Sequence, residues 1–228
     1  GFSLSADDEG GWSRGGNLNL GIRFLEIYEL QVGPNVRRTH MPAQYVTTVA
    51  DPAATQNFGR RYVFAPLDQT TLGVETRLNA TFSPNLTFEL YAQPFVSSGD
   101  YAGLMELAAR RSFDFLRYGQ DVGAVSRSND GGFTVDPDGT GSGNFQVRPL
   151  NFNFRSLLGN AVLRWQWRPG STLFLVWQQN RSEELVRTGA GGLEDDVGQF
   201  ELGRDARALF GLKPDNVFML KVSYWLNP

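Results

Sequence analysis

The stretch Leu72-Gly-Val-Glu-Thr-Arg-Leu-Asn-Ala-Thr-Phe82 turns at Ser83-Pro-Asn85 and returns through Leu86-Thr-Phe-Glu-Leu-Tyr-Ala92. Its even-numbered residues are mostly apolar and its odd-numbered residues mostly polar or charged, which is the two-residue period of a β-strand. A strand with an apolar and a polar face suits a barrel wall that contacts lipid outside and water inside. The stretch therefore predicts a β-hairpin of the membrane-barrel kind.

A second hairpin has the same design, from Ala161-Val-Leu-Arg-Trp-Gln-Trp167 through Arg168-Pro-Gly170 to Ser171-Thr-Leu-Phe-Leu-Val-Trp177. The two apolar stripes of a hairpin share one face only if an odd number of loop residues separates the strands. A three-residue loop places Trp165 and Leu175 on the same face. A two-residue Pro-Gly loop would place them on opposite faces, and we reject it for that reason.

The connections between the predicted strands differ in length at the two ends of the sheet. Three-residue turns follow residues 72–82 and 161–167, whereas long segments rich in Gly, Asp, Ser and Arg, about 97–150 and 180–214, follow the return strands. Short periplasmic turns and long extracellular loops are typical of outer-membrane barrels. Apolar residues spaced along 101–116 also predict a short helix in the first long loop.

Further strands complete the predicted fold, an all-β, antiparallel, up-and-down transmembrane β-barrel. Residues 216–226 alternate and predict a last strand that ends at the periplasmic side. Weaker signals lie at 17–24, 26–33, 44–50 and 58–65. Because bacterial barrels have an even number of strands, we expect about ten, with residues 2–5 as the tenth, or a barrel that continues upstream of Gly1. Residues 1–228 are thus predicted to be one barrel domain or the C-terminal part of one; the lack of a secretory signal favours the latter.

Composition excludes several classes of site. The chain has no cysteine and one histidine, His40, so disulfides, thiolate metal sites and multi-histidine zinc sites are excluded, and we expect no metal or cofactor. A net charge of −3 and a pI of about 5.3 argue against a nucleic-acid partner. The sequence contains no apolar run of about 18 residues, so no transmembrane helix is predicted. The mean hydropathy of −0.30 is compatible with barrel strands, whose apolar residues alternate with polar ones.

Polar residues of the hairpins are the first set of candidate functional residues, because they would face the interior of a barrel. We favour a network of paired charges that fills the interior; the alternatives are a pore lining that selects solutes and a carboxylate pair of the glycosidase type. The predicted interior-facing residues are Glu75, Arg77, Glu89, Gln93, Arg164 and Gln166.

Apolar residues of the hairpins and of the last strand form the second set. We expect them to face lipid or to form an aromatic girdle at the periplasmic boundary. The alternatives are the core of a soluble β-sandwich and a platform on which sugars stack. The residues in this set are Leu72, Phe82, Phe88, Trp165, Trp167, Leu175, Trp177, Phe218 and Tyr224.

Two further features are interpreted as ordinary loop chemistry. His40 lies in the polar run Arg37-Arg-Thr-His-Met-Pro42 and is predicted to be a solvated loop residue; a barrel-embedded hydrolase that uses it is an alternative, although the chain has no G-x-S-x-G motif. Asp130 and the run Asp136-Pro-Asp-Gly139 lack the spacing of an EF-hand, so turn formation explains them better than calcium binding.

The stretch 151–177 resembles the C-terminal region of a large bacterial family of uncharacterised function, in which a carbohydrate-binding-family-nine-like domain precedes a predicted outer-membrane barrel. The resemblance covers roughly residues 15–228. It implies a barrel and an outer-membrane location and carries no catalytic motif. Further matching segments are Gln44-Tyr-Val46, Gly59-Arg-Arg-Tyr-Val-Phe64, 91–101, Phe115-Leu-Arg-Tyr-Gly119, 133–139 and 215–226.

Together these observations predict a non-enzymatic, porin-like protein of the bacterial outer membrane, acting as a pore or a membrane anchor with a link to glycan binding or uptake. The expected partners are outer-membrane lipid, the barrel assembly machinery and an upstream domain of the same polypeptide. The last strand is similar to the signal read by that machinery but departs from it by ending Trp225-Leu-Asn-Pro228. The alternative of another class is a soluble β-sandwich that binds carbohydrate.

Overall fold

The computed structural model describes residues 1–186 and 196–226, which form antiparallel β-structure with one α-helix. One helix, α1 (Leu202–Gly211), and one turn of 3₁₀ helix (Thr55–Asn57) accompany the strands of this described part. The strands are β1 (Phe2–Ala6), β2 (Trp12–Asn17), β3 (Leu20–Phe24), β4 (Tyr28–Ala50), β5 (Arg60–Ser83), β6 (Leu86–Tyr101), β7 (Met105–Leu107), β8 (Phe115–Arg117), β9 (Ala124–Arg127), β10 (Phe133–Asp136), β11 (Phe145–Val147), β12 (Phe152–Arg168), β13 (Ser171–Val186) and β14 (Asp215–Ser223).

The main sheet has the order β1-β2-β4-β5-β6-β12-β13-β14, with every neighbouring pair antiparallel. β3 continues the line of β2 along β4. The two are separated at Pro34 of β4, whose carbonyl accepts from the N–H of Leu18. Proline has no N–H to return to that neighbour, so the ladder is interrupted there. The all-β prediction is confirmed, and residues 2–5 do contribute to a strand.

The predicted register of both hairpins is confirmed. Leu78 pairs with Leu90 and Leu163 pairs with Leu175, so the apolar stripes share one face. Both three-residue turns are nevertheless wrong. The first turn is Pro84–Asn85, closed by the pair Ser83–Leu86, and the second is the Pro169–Gly170 type that we rejected, closed by the pair Arg168–Ser171. A one-residue bulge before each turn, in β5 and in β12, restores the parity, because it supplies the odd residue that a two-residue turn lacks.

The strands near the N-terminus are longer than predicted. Residues 26–33 and 44–50 belong to the single strand β4, and 58–65 and 72–82 belong to β5. The alternation breaks in β4 because two irregularities, between Met41 and Gln44 and between Tyr45 and Thr47, shift the register. Pairing along the whole length of β5 keeps the strand continuous through these breaks.

The predicted helix at 101–116 is wrong. Met105 and Glu106 instead pair with Phe64 and Val63 of β5, which extends the sheet beyond the end of β6. The helix of the described chain lies in the other long loop, where the Glu201 carboxylate caps the N–H groups of Gly203 and Arg204. The apolar residues at 101–116 therefore serve a strand pair and a small core.

The main sheet has a loop end, where the long connections lie, and a turn end, where the hairpins close. Its two faces are an apolar face, which carries Leu78 and Leu90, and a polar face, which carries Glu75 and Arg77. At the loop end a different insertion packs on each face. Segment 102–150 covers the polar-face side, where a core forms from Val63, Ala65, Leu104, Tyr118, Val135 and Val147. Helix α1 packs on the apolar-face side, over Arg155 of β12.

Successive hairpin turns are displaced along the strand direction by a regular amount. One row of paired residues runs from Leu30 through Leu78 and Leu90 to Ala161. Along their strands, Leu30 lies four residues from the turn residue Glu26, Leu78 six from Pro84, and Ala161 eight from Pro169. Each strand is therefore displaced by about one residue relative to its neighbour.

The main sheet is open in the part of the chain that the structure describes. β1 and β14 form its edges, and every residue of β1, β3 and β14 is exposed. Residues 1–186 and 196–226 contain no candidate membrane-spanning helix.

Candidate functional site

The six polar candidates lie together on the polar face, because Glu75 and Arg77 share one parity in β5, and the register carries that parity into β6 and β12. Arg77 pairs with Glu75 at 2.7 Å, and its guanidinium carbon lies 5.3 Å from the ring centroid of Tyr91. Both ends of the ion pair are about half exposed, so we expect it to orient side chains more than to stabilise the fold.

A shallow depression of about 340 Å³ lies on the polar face between β5, β6 and β12. Its lining mixes charge, amide and aromatic groups that suit hydrogen bonding to water or to hydroxylated solutes. Glu89 lies opposite Asn79, four residues along β5 from Glu75. The backbones of the two glutamates are thus about 14 Å apart, a wide spacing for a glycosidase pair. The lining residues are Arg77, Asn79, Glu89, Leu90, Tyr91, Asn160 and Val162.

The other polar candidates extend this surface in both directions. Gln93 lies opposite Leu158 toward the loop end, and Arg164 lies between Thr87 and Phe174 toward the turn end. Gln166 follows, opposite Thr172. The polar character of the face weakens across β13, where Phe174 and Val176 lie opposite Arg164 and Val162.

The nine apolar candidates lie on the apolar face. Many of its side chains are exposed in the open sheet, from Ile22 at 51% on β3 to Phe218 at 76% on β14. On the strands between β3 and β14, Trp165 is 47% exposed and Leu175 is 43% exposed. A contiguous apolar surface of this kind marks a surface that contacts another molecule, lipid or the rest of an assembly.

Aromatic residues concentrate where the apolar face meets the turn end. The rings of Trp165 and Trp167 are 6.2 Å apart. The Arg168 guanidinium carbon lies 4.0 Å from the ring centroid of Tyr224, and Arg168 donates to the Trp225 carbonyl at 3.1 Å. Arginine and aromatic rings together are typical of a membrane–water boundary.

His40 is a strand residue, so its prediction as a loop residue is wrong. It lies in β4 with Nδ1 2.8 Å from Asp68 Oδ1, and its ring stacks on Trp12. The adjacent hydroxyls of Thr39 and Ser13 bond to each other on the opposite face of the sheet. Long-range pairing with β2 and β5 ordered this polar segment, which local composition alone did not indicate.

A buried ionic cluster that the sequence did not reveal joins the first insertion to the sheet. Arg61 of β5 donates to both carboxylate oxygens of Glu106, at 2.7 and 2.8 Å, and to Asp51. The Tyr118 hydroxyl donates to Glu106 at 2.7 Å. Burial lowers the pKa of Arg61, but the bonds to Glu106 and Asp51 outweigh it and raise that pKa overall. Burial and the bond to Glu106 raise the pKa of Tyr118.

A second buried cluster attaches α1 to the sheet. Arg155 donates to Asp205 at 2.9 Å and to Glu183 at 3.1 Å, while Arg204 also bonds to Asp205. Burial raises the pKa of Asp205, but bonds from Arg204, the Glu201 backbone and Arg155 outweigh it and lower that pKa overall. The sequence contained a signal for this cluster, because Arg155 and Glu183 are charged residues at positions of β12 and β13 where the alternation calls for apolar ones.

The acidic turn at 136–139 is held by the backbone. Asp136 accepts from the N–H groups of Gly139 and Gly141, and Asp138 accepts from Thr140. The described residues contain no group of three or more His, Cys, Asp or Glu side chains that could hold a metal ion. The geometry agrees with turn chemistry.

No family model, no curated protein and no solved structure matches this chain. The resemblance to the barrel region of the uncharacterised bacterial family therefore stays a prediction.

Proposed function

We propose that this chain is part of a non-enzymatic β-barrel of the bacterial outer membrane, with lipid against the apolar face and water against the polar face. The observation that carries the proposal is the apolar face. Its rows of side chains continue from strand to strand, and toward the turn end the described residues include no element that covers them. The opposite face carries charge and amides over the same strands.

The regular displacement of the hairpin turns supports a tilted barrel wall. A displacement of about one residue, or 3.3 Å, for each strand spacing of about 4.8 Å corresponds to an inclination of roughly 35°. Strands of outer-membrane barrels tilt by about 35–45°. If all turns lie at one membrane boundary, the stagger of this sheet has the value that a barrel needs.

The open edges support closure by further strands. Unpaired N–H and C=O groups are costly in lipid, so a sheet crosses a membrane only as a closed barrel. β1 and β14 run in opposite directions and are exposed along their lengths. We propose that strands outside this sheet pair with these edges in the membrane.

The first insertion bears on the choice between pore and anchor. Segment 102–150 packs on the polar-face side of the loop end, where the mouth of the barrel would lie. It would narrow that mouth, which favours an anchor or a gated pore over a wide open channel. The link to glycans and to an upstream domain rests on the family resemblance alone and is proposed on that ground.

Single-cysteine labelling tests the proposal directly, since the natural chain has no cysteine. The residue pairs Leu90 with Glu89 and Leu220 with Lys221 offer matched positions on opposite faces of one strand. After reconstitution in lipid vesicles, Leu90→Cys and Leu220→Cys should resist a water-soluble maleimide, whereas Glu89→Cys and Lys221→Cys should react.

Equal reactivity of both faces would overturn the proposal. A monodisperse protein in plain buffer would also contradict it and would favour the soluble β-sandwich. A dependence on detergent together with alternating labelling is the expected result.

A further inference from the structure

Helix α1 presents an unusual exposed surface. Apart from two glycines, its exposed residues are Leu202, Arg207 and Phe210, and the two apolar side chains are 56% and 60% exposed. The opposite side of the helix is fixed to the sheet through buried Asp205 and Leu209. Two large apolar groups beside a cation form the composition of a helix that lies at a membrane surface.

The position of α1 on the sheet shows which end of the helix lies nearer the uncovered apolar face. The helix packs on the apolar-face side, and its two ends lie at different heights. The Gln199 carbonyl, just before α1, accepts from Asn153, whereas the carbonyls of Phe210 and Leu212 accept from Arg181. Arg181 lies nearer the turn end than the partner of Asn153 does. The C-terminal turn of α1 is therefore the part closest to the uncovered apolar face.

The distance from the C-terminal turn of α1 to the uncovered apolar face matches the position of a lipid headgroup layer. We measure it from Arg181, which bonds to this turn, to Trp177 on the apolar face. Arg181 and Trp177 have the same parity in β13 and are four residues apart, about 13 Å along the strand. With strands inclined by roughly 35°, the height difference is about 11 Å. The Phe210 side chain extends from a backbone at that height and has room to reach a headgroup layer several ångströms thick.

We propose that the C-terminal turn of α1 is a membrane-surface anchor, in which Phe210 inserts among lipid headgroups and Arg207 binds their phosphates. Lys213, exposed just beyond the helix, adds a second cation next to this turn. Leu202 lies eight residues earlier, toward the end of α1 that is held nearer the loop end, and we expect it to stay farther from the headgroups than Phe210. The inference rests on the proposed membrane location and names the lipid contact of one element outside the barrel wall.

Nitroxide labels on the single-cysteine variants Phe210→Cys, Leu202→Cys, Phe113→Cys and Leu220→Cys test this in vesicles that contain anionic phosphatidylglycerol. Phe113 is the matched control, because it is 72% exposed in the insertion on the other side of the sheet. Oxygen partitions into lipid, whereas a nickel chelate stays in water. We expect the ratio of relaxation by oxygen to relaxation by nickel to be several-fold higher for the label at 210 than for the labels at 202 and 113. The label at 220 reports whether the sheet is in the membrane at all.

The outcomes separate the two proposals. If the label at 220 is in lipid but the label at 210 is as accessible to nickel as the label at 113, the anchor is refuted and the barrel stands. If the label at 220 is in water, the membrane location itself fails. Equal lipid contact at 202 and 210 would also overturn the inference, since it would place the whole helix at one depth. Arg207→Ala should move the label at 210 toward water, and no movement would exclude the phosphate contact.

Discussion

At the scale of single residues, the informative positions are charged residues whose place in the strand alternation puts them on the apolar face. Arg155 and Glu183 lie on the apolar face of the sheet, yet Arg155 is 4% exposed because α1 covers it. Removing one partner of a buried ion pair costs more than the pair contributes, since the remaining charge stays buried. These residues therefore report on the attachment of α1.

Asp205→Asn should release α1 from the sheet. The substitution leaves Arg155 buried with one carboxylate fewer, and we expect local stability to fall by about 3 kcal/mol. Hydrogen exchange of the α1 amides measures it. Asp196→Asn is the matched control, because Asp196 is 70% exposed and 3.7 Å from Arg204; unchanged protection in both variants would contradict the assignment.

The same aspartate predicts a pH dependence. The pKa of Asp205 is lowered in the folded protein, so its contribution is present above the ordinary aspartate pKa and is lost as the pH falls through the folded value. Wild type should thus be more stable than Asp205→Asn at pH 7, and the difference should shrink below about pH 4. Thermal unfolding followed across this range tests it, and a constant difference would count against the ion pair.

At the scale of elements, hairpins were predictable and long strands were not. Alternation and parity placed Trp165 and Leu175 correctly, because a two-residue period is a local signal. The joining of segments into β4 depends on pairing with β5 over the bulges near Met41, which no local pattern encodes. The site divides in the same way: faces followed from alternation, whereas the Arg61 and Arg155 clusters depend on how the long loops fold back.

Gly170 tests one of the two turns whose length the parity argument predicted wrongly. Its φ of +77° is strained for other residues, and an added Cβ would lie 2.7 Å from Trp225 Cβ. Gly170→Ala should destabilise the second hairpin by about 1–2 kcal/mol. Gly211→Ala, which meets no atom within 4 Å, should be neutral or slightly stabilising. Denaturant unfolding in detergent compares the two.

At the scale of the whole molecule, the exposed apolar face is the feature that must be covered by something other than water. In a membrane, Leu90→Arg should cost about 2–4 kcal/mol, because the charge would lie against lipid. Gln93→Arg on the polar face of the same strand should cost little. Refolding into vesicles of fixed thickness measures both, and equal costs would indicate that the two faces share one solvent.

The seam between β6 and β12 has a consequence for how the sheet assembles. Hairpins β5–β6 and β12–β13 close through tight turns, whereas β6 and β12 are joined through the 50 residues between Tyr101 and Phe152. Closing such a loop costs roughly 3 kcal/mol more entropy than closing a two-residue turn. We expect the halves on either side to form first and to join last, so pulse-labelled hydrogen exchange should show protection of the β6–β12 ladder appearing after that of β12–β13. Segment 102–150, which would narrow the mouth of the proposed barrel, is then also the connection whose closure determines the rate of assembly.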